Sequence, residues 1–204
     1  MIPYGRQDVN EQDIQAVVEV LKSDWLTQGP AVPRFEAAIS AFCGAEFAVA
    51  TSNATAALHI ACLALGLGPQ DTLWTTPNTF VATANCARYC GATVDFVDID
   101  PRTYNMSVAA LRAKLESAEK NGTLPKIVIP VHFAGQSCEM REIKALAEKY
   151  NFAIIEDASH AVGGSYLGAP VGNGRYSDIT IFSFHPVKII TTGCLLYTSD
   201  AADE

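Results

Sequence analysis

From Thr72 onward the chain alternates short apolar runs with helical stretches, and no other feature narrows the possible folds so far. Residues 72–76, 93–97, 126–130, 152–155 and 179–182 are short apolar runs that read as strands, the last of them apolar, β-branched and aromatic enough to be buried. Between them, residues 80–89, 107–120 and 139–150 carry apolar residues at helical spacing. An earlier round adds a strand over 47–50 and a helix over 55–67, after two helices at 8–22 and around Phe35–Phe42. Parallel strands need long crossovers, usually helices, so the alternation predicts an α/β three-layer sandwich with a mostly parallel central sheet.

A chain of 204 residues can form one such domain, or one domain and part of another. With 49% hydrophobic and 18% charged residues it reads as globular and soluble. The net charge of −8 argues against a nucleic-acid groove, and no run is apolar for long enough to span a bilayer. Met1-Ile2-Pro3-Tyr4-Gly5-Arg6 lacks the apolar core of a signal peptide, so a cytoplasmic protein is expected. Its six cysteines form no CxxC pair, and no histidine stands at zinc-ligand spacing from them. Cys86 and Cys90 would share a helix face, where buried thiols are expected rather than a redox pair.

In a sheet of this kind ligands sit at the carboxyl ends of the strands, so the residues that follow each strand belong together. After residues 47–50 comes Ser52-Asn53-Ala54-Thr55, at the start of a helix whose open amides suit a phosphate. The same residues would equally make an ordinary N-cap. After 72–76, Phe80 offers a ring to stack on a planar group, or another core side chain. Glu156-Asp157-Ala158-Ser159-His160 follows the fourth strand, and a buried carboxylate there needs a cationic or hydrogen-bonding partner. Asp157 would otherwise cap a helix. Ser183-Phe184-His185-Pro186-Val187-Lys188 closes the last strand, with Pro186 turning the chain. Desolvation there would disfavour the charged form of Lys188 and make its amine a nucleophile.

A phosphate cradle, an aromatic platform, a buried carboxylate and a desolvated lysine together answer the needs of pyridoxal 5'-phosphate (PLP). Lys188 would bond the cofactor, Asp157 would hold its ring nitrogen protonated, and Ser52 to Thr55 with Ser183 would take the phosphate. Two other patterns carry less. Asp95, Asp98 and Asp100 resemble an acidic metal cluster but fall in a strand and a turn, so no metal is expected. Gly172-Asn173-Gly174 lacks the strand-turn-helix setting of a dinucleotide fingerprint.

These stretches, together with Leu26-Thr27-Gln28-Gly29-Pro30 and Pro77-Asn78-Thr79-Phe80, resemble the DegT/DnrJ/EryC1/StrS sugar aminotransferases of the fold-type I PLP enzymes. The resemblance covers residues 1–193. It implies catalytic roles for Lys188 and Asp157, and cofactor contacts from Ala54, Thr55, Phe80, His160 and Ser183. Tyr4 and Gln28 fall on the sugar-nucleotide side. The implied reaction is transamination of a nucleotide-linked 4-keto-6-deoxy sugar by an amino acid such as glutamate. Pseudaminic acid synthesis is the branch most similar, and a homodimer is the implied assembly. Family dehydratases carry histidine where this chain has Lys188, which disfavours that branch; a non-catalytic sugar-nucleotide-binding remnant is the other alternative. Residues 194–204 depart from the family pattern. They are expected to be foreign sequence joined to a truncated large domain, with the small carboxyl-terminal domain missing.

Overall fold

The computed structural model describes residues 8–192, so Tyr4, Cys194 and the segment 194–204 lie outside the described residues. Helix α1 spans Glu11–Lys22 behind a capping box, in which Asn10 accepts the Gln12 and Asp13 amides and Asp13 accepts the Asn10 amide. Helix α2 spans Ala31–Cys43 and ends in left-handed Gly44. Then come α3 (Ala54–Ala64), β1 (Thr72–Thr75), α4 (Ala82–Tyr89), β2 (Thr93–Phe96), α5 (Val108–Asn121) and β3 (Ile127–Ile129). A 3₁₀ turn at Phe133–Gly135 precedes α6 (Met140–Tyr150) and β4 (Ala153–Asp157). A hairpin of β5 (Ser165–Tyr166) and β6 (Ala169–Pro170) then leads to β7 (Ile179–Ile181).

Five of these strands form one sheet in the order β2-β1-β3-β4-β7, and every pairing in it is parallel. Because side chains alternate across a strand, each strand feeds two cores. Leu73, Ile127, Ile129, Ile155 and Ile181 face α3 and α4. Trp74, Val128 and Ile154 face α5 and α6. Two helical layers on one parallel sheet make the expected three-layer sandwich. The alternation also fixes where two adjacent carboxylates go. Asp157 continues the Ile155 face toward α3 and α4, while Glu156 continues the Ile154 face toward α5 and α6.

The strand expected over 47–50 does not form. Phe47 and Val49 are 78% and 81% exposed, and the Ala50 amide donates to Glu36 Oε1 at 2.8 Å. An isolated extended run gains nothing from β propensity without a neighbour to complete its ladder, and no strand among the described residues pairs with it. Cys43, Cys62, Cys86 and Cys138 are buried free thiols and Cys90 is half-buried. Burial pushes the Cys138 thiol up to about 12, far from thiolate reactivity at neutral pH. Asp95 lies 2.6 Å from Lys114 Nζ and Asp100 lies 2.8 Å from Arg102, so two of the three acidic residues in the sequence pattern are ion-paired.

Candidate active site

The site is built where β1, β4 and β7 end and α3 and α4 begin. Asp157, the last residue of β4, is 4% exposed. The extended β3 segment holds its backbone on one side, where the Asp157 amide donates to Pro130 O and its carbonyl accepts from the His132 amide. On the other side the Ala158 amide donates to Ile181 O of β7. The carboxylate is thereby fixed in direction. Thr83 Oγ1 donates to Oδ2 at 2.7 Å; Ser159 donates to Oδ1 through its hydroxyl at 2.7 Å and its amide at 3.2 Å.

A carboxylate this deeply buried is costly unless its charge is met. Among the described residues Asp157 has no ion-pair partner within contact, and its donors are all neutral. Two basic side chains lie close enough to feel it. Lys188 is half-buried; burial lowers its amine below the ordinary 10.5, against a smaller upward pull from Asp157. Burial also lowers the His160 imidazole below 6.5, the Lys188 charge adds to that, and Asp157 opposes it. Asp157, His160 and Lys188 are therefore electrostatic neighbours, as their places after β4 and β7 predict.

The turn that presents Lys188 is ordered by its own residues. The Lys188 amide donates to His185 O at 2.8 Å, which closes a four-residue turn with Pro186 in its second place, where proline's fixed φ fits. Phe184 packs edge-on against Phe35 of α2 with ring centroids 5.0 Å apart, and Thr192 donates back to Phe184 O. Ser183 is 8% exposed, two residues past the end of β7.

Across the site, α3 starts at Ala54 with Asn53 as N-cap, its Oδ1 accepting the Ala56 amide at 2.8 Å. The N-cap reading of this stretch is therefore correct, and it leaves the Ala54 and Thr55 amides ahead of the intrahelical ladder. Leu58, Ala61 and Cys62 of α3 share a core with Ile181, which brings this helix beside the strand leading to Ser183. Phe80 is 73% exposed, so it is not a core side chain. Gln28 is exposed in the turn between α1 and α2, with a φ of 50°, and makes no hydrogen bond or ion pair among the described residues. The structure does not join it to the others. Thr83 and Ser159 are the additions to the predicted set; Ser159 stands two residues from Asp157, whereas nothing local marks Thr83.

The match to the DegT/DnrJ/EryC1/StrS aminotransferase family covers residues 7–201. The chain is 45% identical over 192 residues to the UDP-4-amino-4,6-dideoxy-N-acetyl-beta-L-altrosamine transaminase of Campylobacter jejuni, covering 94% of this chain and 49% of that one. Helicobacter pylori PseC, an aminotransferase involved in the biosynthesis of pseudoaminic acid, superposes with a TM-score of 0.85 at 33% identity, over 93% of this chain and 49% of that one. A Streptococcus pneumoniae protein described as a sugar aminotransferase, solved in its PLP form, gives a TM-score of 0.84 at 31% identity over 94% and 50% of the two chains. The chain spans about half the length of the curated relatives it matches. Sequence and architecture agree across nearly all of its length, and the chain belongs to the DegT/DnrJ/EryC1/StrS aminotransferase family.

Proposed function

We propose that this chain is the cofactor-binding part of a PLP-dependent aminotransferase. Its substrate would be a nucleotide-linked 4-keto-6-deoxy sugar, UDP-linked and N-acetylated as the relatives' names suggest, within pseudaminic acid or related surface-glycan synthesis. Glutamate is the proposed donor, a cytoplasmic homodimer the proposed form, and residues 1–193 the large domain of a longer protein. Supporting the dimer, α1 has no buried residue, and Ile14 and Leu21 are 48% and 60% exposed.

One observation carries the reading: Asp157 is a buried carboxylate whose fixed donors are all neutral. A protonated ring nitrogen is the missing cation, so the residues fit the cofactor. When bound, PLP accepts an amino group from one substrate and yields it to another, its protonated ring acting as the electron sink. Asp157 would keep the proton on that ring nitrogen. The Ala54 and Thr55 amides and the Ser183 hydroxyl would hold the phosphate. Phe80 would cover one ring face, and His160 would stand beside the phenolic oxygen. Lys188 would supply the anchoring amine and, once free, carry the transferred proton on Nζ, for which a lowered amine is suited.

The test is to incubate the chain with PLP, reduce with borohydride and locate the label by mass spectrometry. Label on Lys188, lost in Lys188→Ala with the fold retained, is the expected result. Label scattered over surface lysines would overturn the reading. For the whole enzyme, transfer of ¹⁵N from glutamate to the keto sugar tests the reaction.

A further inference from the structure

On the opposite face of β4 from Asp157 lies a second buried carboxylate that none of the proposed roles uses. Glu156 is 5% exposed and His132 fully buried, with Nε2 and Oε2 2.6 Å apart. His132 Nδ1 accepts the Cys138 amide at 3.2 Å, which leaves the ring proton on Nε2 to be donated to Glu156. The other carboxylate oxygen accepts from Ser177 Oγ and, at 3.3 Å, from Thr180 Oγ1. One side chain thus joins three segments: the turn after β3, the end of β4 and the approach to β7.

Each of these segments leads to the site. The turn after β3 brings Gly135 against the His160 carbonyl. Strand β4 ends in Asp157, and β7 leads to Ser183 and Lys188. Strand β7 has only three residues, and Glu156 stands directly opposite Thr180 in its register with β4. A slip of one residue would turn the end of β7, and with it Ser183, to the other face and shift the turn that carries Lys188, and three ladder positions resist that weakly. Side-chain bonds that cross the pair at that position supply the missing restraint.

We infer that Glu156, held by His132, is a positioning residue that pins β7 to β4 and so sets Ser183 and Lys188 against Asp157. The inference rests on the PLP reading for its consequence, though not for the pin itself. Glu156→Gln keeps the size but turns one of the two acceptor oxygens into an NH2 donor, so His132 on one side and Ser177 with Thr180 on the other no longer both meet an acceptor. Ser177→Ala with Thr180→Val cuts only the β7 side, as a milder second variant. Leu115→Ala, a cavity in the fully buried core under α5, supplies a loss of stability without touching the pin.

Two readouts are taken on the whole 204-residue chain. The first needs no cofactor: amide hydrogen exchange of peptides over 177–190, where both pin variants are expected to exchange at least tenfold faster and Leu115→Ala is not. The second is the rate of PLP labelling at Lys188 after borohydride reduction, expected to fall about tenfold in the pin variants at temperatures where all remain folded. If Leu115→Ala, compared at equal stability, matches Glu156→Gln in both readouts, the role is structural only and the inference is overturned. Unchanged exchange over 177–190 in the Ser177→Ala, Thr180→Val variant also overturns it. Should the unmodified chain take no label at Lys188, the PLP reading fails, and the exchange measurement decides the pin by itself.

Discussion

Thr83 Oγ1 donates to Asp157 Oδ2 at 2.7 Å, a bond that ties the first turn of α4 to the last residue of β4 across 74 positions of sequence. Thr79 Oγ1 lies 2.8 Å from Thr83 Oγ1. Since Thr83 gives its proton to the carboxylate, it accepts from Thr79, and the two hydroxyls form a directed chain ending on Asp157. With Ser159 on the other oxygen, the carboxylate is aimed before any cation reaches it. Preorganised dipoles of this kind need no rearrangement when the ligand binds.

Replacing Thr83 by valine keeps the shape and removes the donor. Leaving one buried carboxylate oxygen unsatisfied is expected to cost about 1–3 kcal/mol, read as a lower urea midpoint with an unchanged slope. PLP labelling of Lys188 should fall in parallel. Thr83→Ser restores a hydroxyl and should recover most of both. Equal losses in the serine and valine variants would show that the methyl group, not the hydrogen bond, matters.

What the sequence reveals here follows from what is local. Strands β1, β3, β4 and β7 are legible because an apolar β-branched run announces burial, and Asp157, Ser183 and Lys188 are legible because they follow such runs. Strand β2 carries the same kind of run yet lies at the sheet edge, with Thr93, Asp95 and Phe96 exposed. Thr83 is not, since a threonine inside a helix pattern carries no mark of a carboxylate 74 residues away. Glu156 is visible as a costly carboxylate, but its partners His132 and Ser177 lie 24 and 21 residues off and declare themselves only in the fold. The run over 47–50 is the opposite case. Its pattern is that of a strand, yet pairing depends on a neighbour that its own residues do not specify.

His160 supplies a prediction about pH. Burial, then the Lys188 charge, lowers its imidazole below the ordinary 6.5, and Asp157 pulls the other way. Lys188→Met should therefore raise its titration midpoint and Asp157→Asn should lower it, as followed by ring-proton NMR. The stability linked to this group is present above pH 6.5 and lost as pH falls through the lower folded-state value, because the unfolded chain takes the proton first. A His160 midpoint that does not respond to Lys188→Met would separate the two residues.

Lys188 follows the same sign at higher pH. Burial lowers its amine from 10.5, so the stability linked to it is complete above that value and lost as pH falls through the folded-state one. At neutral pH its ammonium is a cost to the fold. Lys188→Met is therefore expected to leave the urea midpoint unchanged or higher while abolishing PLP labelling. Competitive acetylation read by mass spectrometry should show Lys188 becoming reactive at lower pH than exposed lysines. If it follows the same pH profile as they do, the desolvation argument fails.

Gly135 offers the most stringent test of how the site is supported from outside it. Its φ is 90°, and a Cβ built there would stand 2.8 Å from the His160 carbonyl oxygen, a backbone atom that cannot swing aside. Gly135→Ala must therefore meet two costs: a backbone conformation unfavourable to alanine, about 1–3 kcal/mol, and displacement of either the turn or residue 160. Gly122 separates them. It has a φ of 65° at the end of α5, and nothing lies within 4 Å of its would-be Cβ, so Gly122→Ala meets the conformational cost alone. The Gly135 variant should lose more stability than the Gly122 variant, as read from urea midpoints. It should also carry His160 away from Lys188, moving the imidazole titration back toward 6.5, which Gly122→Ala should not do. Equal losses with an unmoved His160 would mean that the turn after β3 yields freely, and that His160 is placed by β4 alone.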